Sequence, residues 1–183
     1  MVEIDPNSVE SVRSLGKYTE NFLCEIKDNL FKIKFLNFRV RDLDSGFVLF
    51  EVSDDGNPNE EEVIEDNNSR LIRYHLGPDF LDLKNIGTLL KFSVGPLPVK
   101  NLLMIEKHFF KEKLIKAFEF KFDFCMPNSV NEWETLYEIP ELDLEVKDEM
   151  IECPWETKSD TFYFADGRLI MHHKAIYNYS PFE

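Results

Sequence analysis

Glu106 and His108 stand two residues apart in a stretch, Leu103 to Phe110, that is otherwise largely apolar. In an extended strand such neighbours share a face, here with Met104 and Phe110, while Leu103, Ile105 and Phe109 occupy the other. A carboxylate and an imidazole turned inward cost about 1–3 kcal/mol each, more for the charged acid, unless something satisfies them. They could pair with each other or with solvent at a sheet end, or they could orient a ligand. Acid/base catalysis is a third use, although a Glu and a His at this spacing are by themselves a weak signal. In the next stretch Phe118, Phe120, Phe122 and Phe124 share one face and Glu119, Lys121 and Asp123 the other. That aromatic wall either fills the space between two sheets, the commoner use, or lines a cavity. Tyr74, Tyr163, Tyr177 and Tyr179 each add an apolar ring with a hydroxyl tip. An apolar cavity with a few placed polar groups is the general form of a small-molecule site.

Other chemistry finds less apparatus. The adjacent His172 and His173 point to opposite faces of a strand and cannot chelate one metal together, and no other ligand residue has suitable spacing to either. Cys24, Cys125 and Cys153 are odd in number and lack C-x-x-C spacing, so reduced thiols are expected. Parity puts Cys125 on the Glu119, Lys121, Asp123 side of its strand, and there is neither a G-x-S-x-G elbow nor a glycine-rich phosphate loop. Against 35 Asp and Glu stand 21 Lys and Arg, a net charge of −14 that repels phosphate backbones and anionic lipid surfaces. Nucleic acid is therefore not an expected partner. Without an apolar run near the roughly 20 residues of a membrane span, and with acids in Met1 to Ser14, the chain is expected to be soluble and intracellular.

The elements that must hold these residues are mostly strands. The length of 183 residues predicts one domain, with residues 1–20 as an N-terminal arm and 21–183 as the folded body. Within the arm, Asp5 to Gly16 reads as a short helix, Asn7 and Glu10 having capping-box spacing. Phe31, Ile33 and Phe35 then alternate on one face, and Leu36, Phe38 and Val40 on the other. A phase slip of this kind predicts a β-bulge that re-aims the later side chains towards another layer. A turn at Asp42 to Gly46 leads into a strand from Phe47 to Ser53. The acidic run 54–69 reads as a mobile loop. Further strands are expected at Leu71 to Leu76, Phe80 to Leu83, around Leu90 to Val94, Asn101 to Phe110, Ile115 to Met126, and in a hairpin about Asp166-Gly167. A second helix is expected over Pro140 to Cys153. Eight or nine strands without alternating helices predict an all-β, antiparallel β-sandwich with short helices.

Several blocks in this order resemble the uncoordinated-119 family: FRVRDLDSGFVLFEV (Phe38 to Val52), MIEKHFF (Met104 to Phe110), FEFKFDFCMPNS (Phe118 to Ser129), WETKSDTFYF (Trp155 to Phe164) and RLIMHHKAIYNYS (Arg168 to Ser180). TENFLC, Thr19 to Cys24, is similar as well, so the resemblance runs from about Ser11 to the end, interrupted by the acidic loop. That family is a relative of the delta subunit of the rod cyclic-GMP phosphodiesterase. The resemblance implies an immunoglobulin-like β-sandwich whose sheets part to admit a lipid. It implies binding of N-terminally myristoylated or lauroylated clients, such as G-protein alpha subunits or ciliary cargo, and their delivery to membranes. Release by GTP-bound Arf-like GTPases is implied too, with a cytoplasmic, ciliary or basal-body location, a monomeric state, no cofactor and no enzymatic activity. Carried over residue by residue, it puts Tyr74, Phe80, Phe118, Phe120, Tyr163 and Tyr177 in the acyl pocket, with Phe35 and Phe38 as further lining. Glu106 and His108 would meet the backbone of the client's first residues, and His108 separates this family from its prenyl-binding relative. Ile139 stands where the family has an aromatic pocket residue, and the loop 54–69 is acidic where the family's is more basic. A plain immunoglobulin-like interaction module with a filled core and a Glu/His hydrolase are the competing classes.

Overall fold

A computed structural model describes residues 5–53 and 67–182 of the chain. Its strands are β1 (Lys34–Asp42), β2 (Val48–Ser53), β3 (Leu71–His75), β4 (Asn85–Ser93), β5 (Val99–Phe110), β6 (Lys113–Cys125), β7 (Val130–Glu138), β8 (Thr157–Ala165) and β9 (Arg168–Asn178). Two short helices, α1 (Val9–Ser14) and α2 (Leu144–Glu152), flank them. A four-stranded sheet in the order β2-β1-β4-β7 faces a five-stranded sheet in the order β3-β9-β8-β5-β6, which makes the expected all-β sandwich. One pairing departs from the antiparallel rule: β3 lies parallel to β9, with Tyr74 opposite Tyr177.

The principal core lies between the sheets, where Val40, Ile86, Leu90, Phe92 and Trp133 meet Leu102, Met104, Tyr163, Ile170 and Met171. The bulge in β1 is present, because Phe35 pairs with Phe92 and Asn37 with Lys91, leaving Leu36 as the extra residue. Its effect is opposite to the one expected. One inserted residue flips the parity, so Phe35, Phe38 and Val40 all join the inter-sheet cluster. Asp166 and Gly167 both have positive φ, 46° and 77°, as a two-residue turn between twisted strands requires, and they join β8 to β9.

Other expectations change at their edges. Ser8, not Asn7, caps α1, its hydroxyl accepting from Ser11 N–H. The segment Phe80 to Leu83 is not a strand; Pro78–Asp82 forms a turn of 3₁₀ helix, proline suiting a first turn and offering no ladder hydrogen bond. Helix α2 begins at Leu144 after Pro140, and Met150 is its buried residue, whereas Leu144 is exposed. Strand β7, absent from the sequence reading, completes the four-stranded sheet beside β4. Cys125 is buried in the inter-sheet cluster and not on the charged side. Most of the acidic loop, residues 54–66, lies outside the described residues, and 67–70 form a turn.

The segment expected as an arm is strapped across the outer face of the five-stranded sheet. Val12, fully buried, packs with Leu103, Ile105, Phe162, Phe164 and Leu169, and Leu15 and Leu23 extend the contact past residue 20. Lys107 reaches out of β5 to donate to the carbonyls of Arg13 and Leu15 at the C-terminal end of α1, where a cation is favoured. Asp160 accepts from Thr19 N–H, Thr19 Oγ1, His172 Nε2 and Lys174 Nζ, each at 2.9 Å. Leu23 N–H donates to His172 Nδ1 at 2.9 Å, so this ring is neutral, with its proton on Nε2.

Candidate functional site

Between the sheets lies a cavity of about 510 Å³, within the range of small-molecule sites. Phe35 and Phe38 reach it from β1, Tyr74 from β3, Phe80 from the 3₁₀ turn, Phe118 from β6, Tyr163 from β8 and Tyr177 from β9. Glu106 and His108 line it from β5, and Ile139 lines it beyond the end of β7. Of the residues that the resemblance assigned to the pocket and the client backbone, Phe120 alone is not at the cavity surface; of the aromatic wall only Phe118 reaches it, Phe122 packing in the core and Phe124 being exposed. Phe120 packs edge-on against Tyr137, centroids 4.8 Å apart, and stands behind the wall that Phe118 and Tyr137 present.

The rings form a continuous lining. Phe38 contacts Phe50, Phe50 contacts Tyr74, and Tyr74 stacks on Tyr177 at 5.5 Å. At the other side Phe35 meets Tyr163 at 5.4 Å and His173 at 5.2 Å. Bulged β1 is what allows Phe35, Leu36 and Phe38 to line the same space.

Strand register puts a polar belt across the floor of this apolar space. His108 stands opposite Ser159 on β8 and opposite Lys116 on β6; Glu106 stands opposite Thr161, which in turn faces His173 on β9. All six line the cavity. Sequence reading reached Glu106 and His108 but not Lys116, Ser159, Thr161 or His173. Lys116 was legible, since it has the parity of Phe118 and Phe120 in the same strand.

Within the belt Glu106 and His108 pair with each other, His108 Nε2 to Glu106 Oε1 at 2.5 Å. Tyr137 donates from its hydroxyl to Glu106 Oε2 at 3.1 Å. Burial pushes the Glu106 carboxyl up, but the hydrogen bonds from His108 and Tyr137 and the charge of Lys116 hold it below the usual carboxylate range. Burial, reinforced by the charge of Lys116, keeps His108 below the ordinary histidine value. An ionised Glu106 therefore accepts from a neutral His108, and His108 Nδ1 is left buried with no hydrogen-bond partner among the described residues. Burial lowers Lys116 to about 8 against the opposing charge of Glu106. Burial also raises Tyr74 to about 12, so its hydroxyl stays protonated. As expected, His172 and His173 point to opposite faces, one to Asp160 and the other to the cavity. Ser159 Oγ lies 2.9 Å from Tyr177 OH, and its hydroxyl makes no hydrogen bond to His108.

Among the described residues no helix is long and apolar enough to cross a membrane. A family model described as "GMP-PDE, delta subunit" matches residues 27–179. The chain is 44% identical over 178 residues to "Protein unc-119" of Caenorhabditis elegans, covering 97% of this chain and 80% of that protein. It is 46% identical over 176 residues to "Protein unc-119 homolog B-A" of Xenopus laevis, covering 93% of this chain and 73% of the relative. To "Protein unc-119 homolog B" of Homo sapiens it is 44% identical over 187 residues, covering 98% and 74%.

Proposed function

The chain belongs to the GMP-PDE delta subunit family and is similar to its unc-119 members, and from that premise we propose that it is a non-enzymatic chaperone for N-terminally acylated proteins. It takes a myristoyl or lauroyl chain into the inter-sheet cavity, keeps the client in solution and hands it to a membrane, that of a cilium or flagellum where one exists. GTP-bound Arf-like GTPases release the cargo by binding better to a narrowed state of the cavity. Clients are of the kind represented by G-protein alpha subunits and ciliary cargo. No cofactor takes part, and the protein acts as a monomer.

The observation that carries this reading is the cavity itself, an aromatic and aliphatic enclosure crossed by one polar belt. Packed sheets stand about 10 Å apart and a strand advances about 3.3 Å per residue, so the space suits an extended fourteen-carbon chain. A dozen buried methylenes contribute roughly 10 kcal/mol whether they enter a bilayer or a protein. The exchange is therefore tipped by the polar groups, and Glu106 and His108 are the residues that meet the client backbone. The cavity argues against an interaction module with a filled core. A hydrolase would need a nucleophile on His108, and the Ser159 hydroxyl is engaged with Tyr177 instead.

A fluorescent peptide with an N-myristoyl glycine tests the reading. The expected result is saturable one-to-one binding with the peptide recovered intact. Indifference to the peptide would restore the interaction module, and cleavage would restore the enzyme. Glu106→Ala and His108→Ala should each weaken the peptide about tenfold or more while changing the affinity for free myristate much less.

A further inference from the structure

His108 and Lys116 face each other across the β5–β6 pairing, and both line the cavity. They leave complementary hydrogen-bonding capacity unused. With Nε2 committed to Glu106, His108 Nδ1 is a buried acceptor without a hydrogen-bond partner among the described residues. Lys116, half-buried, carries up to three N–H donors and makes no hydrogen bond or ion pair among the described residues. Glu106, the acid whose charge it senses, already has one oxygen on His108 and the other on Tyr137. An acceptor and a donor left side by side at the polar belt suit a ligand that brings both an N–H and a C=O. An amide does so; an ester or a carboxylate brings no donor, and a hydrocarbon brings neither.

We propose that Lys116 is a specificity-determining residue of the cavity, donating from its ammonium to a carbonyl oxygen among the first amide groups of an acylated client while His108 Nδ1 accepts an amide N–H. This rests on the cavity being the acyl-peptide site, and it deepens that reading by naming what distinguishes a lipidated peptide from a bare lipid. It also gives binding a pH dependence of defined sign. Lys116 titrates near pH 8 in the free protein, and a carbonyl held by the ammonium favours the charged form, so affinity falls as pH rises past that value. The other groups facing the belt are silent in this window. Glu106 from β5 is ionised, and His108 from β5 and His173 from β9 are neutral. The hydroxyls of Tyr74, Tyr137, Tyr163 and Tyr177, from β3, β7, β8 and β9, are all raised by burial. The Lys174 ammonium lies on the far face with Thr19 and Asp160.

The test measures two probes against wild type, Lys116→Met and Lys116→Gln. One is N-myristoyl-Gly-Ala-Gly-Ala-Ser amide, which has no group titrating near pH 8; the other is a pyrene-tipped tetradecane without an amide. Lys116→Met should weaken the peptide about 10- to 100-fold and leave the hydrocarbon within about twofold. Wild-type peptide affinity should be level from pH 6.5 to 7.5 and then fall, by up to about tenfold per unit above pH 8, a slope the variant lacks. Unchanged peptide affinity, or the same slope in the variant, overturns the role of Lys116 and leaves the acyl cavity standing. Failure of wild type to bind either probe overturns the cavity reading and this inference with it. Should Lys116→Met fail to fold by thermal melt, Lys116→Gln and the wild-type pH profile decide the matter.

Discussion

His173 is an imidazole held against Phe35 and Tyr163, with ring centroids at 5.2 and 5.7 Å. Burial, aided by the charge of Arg70, lowers it from 6.5 to about 4. The folded state thus holds it neutral where the unfolded chain binds a proton. Its contribution is fully present above pH 6.5 and is lost as pH falls towards 4, by about 3 kcal/mol in all. His108 and His172 are displaced in the same direction, so the whole acid limb is steep, and His173→Asn should remove one share of it. Urea unfolding at pH 7.5 and 4.5 measures this: the stability lost between the two should be about 2–3 kcal/mol smaller in the variant, and equal losses would mean that His173 is not a buried neutral group. Strand parity made the opposite orientations of His172 and His173 legible in the sequence, as it did the shared face of Glu106 and His108. It could not reveal the partners. Tyr137 reaches Glu106 from the facing sheet, 31 residues away, and Asp160 meets Thr19 across 141.

Among the elements, the strap formed by α1 and the residues after it binds the outer face of the five-stranded sheet through charges as well as packing. Lys174 is 6% exposed and is held by Asp160 and Thr19, with the ring of Tyr18 3.7 Å beneath its ammonium. Removing one member of a buried pair leaves the other uncompensated, which costs about 3–5 kcal/mol. Asp160→Asn should therefore lower unfolding stability by about 3 kcal/mol, and Asp160→Asn with Lys174→Met should recover part of that loss. Because this face is turned away from the cavity, affinity for an acyl peptide should hold while the protein remains folded. A double variant no more stable than the single would show that Lys174 is not the group left stranded. The elements that escaped sequence reading did so for local reasons. In β7 the inward Trp133, Thr135 and Tyr137 alternate with glutamates, but Val130 and Leu136 are apolar on the exposed side and blur the period. The alternation Phe80 to Leu83 mimics a strand, while Pro78 and a turn hydrogen bond from Leu83 N–H to the Phe80 carbonyl make it helical. That β3 runs parallel to β9 depends on contacts about a hundred residues apart in sequence. The bulge was visible as a slip at Phe35 and Leu36, but its consequence depends on β4, where Phe92 and Lys91 set the register.

For the molecule as a whole, the net charge of −14 and the apolar cavity act together. A single myristoyl chain holds a peptide on a bilayer only marginally, so on the proposed reading a protein offering comparable burial and a few hydrogen bonds would draw it off. The protein's own charge opposes anionic lipid, which would keep a complex loaded with an acylated client in solution. With vesicles containing phosphatidylserine, adding the protein should move a myristoylated peptide from pellet to supernatant while the protein stays in the supernatant. Occupancy should register in the fold as well, because on the proposed reading an acyl chain would bridge the two sheets across the cavity. At a ligand concentration about 100 times Kd, linkage adds about 2.7 kcal/mol of stability, equivalent in a chain of this size to a rise of roughly 5–10 °C in Tm. A myristoylated peptide should produce that rise and the same peptide without its acyl group should not. A protein that pelleted with the vesicles, or a Tm indifferent to acylation, would mean that the chain does not house the lipid between its sheets.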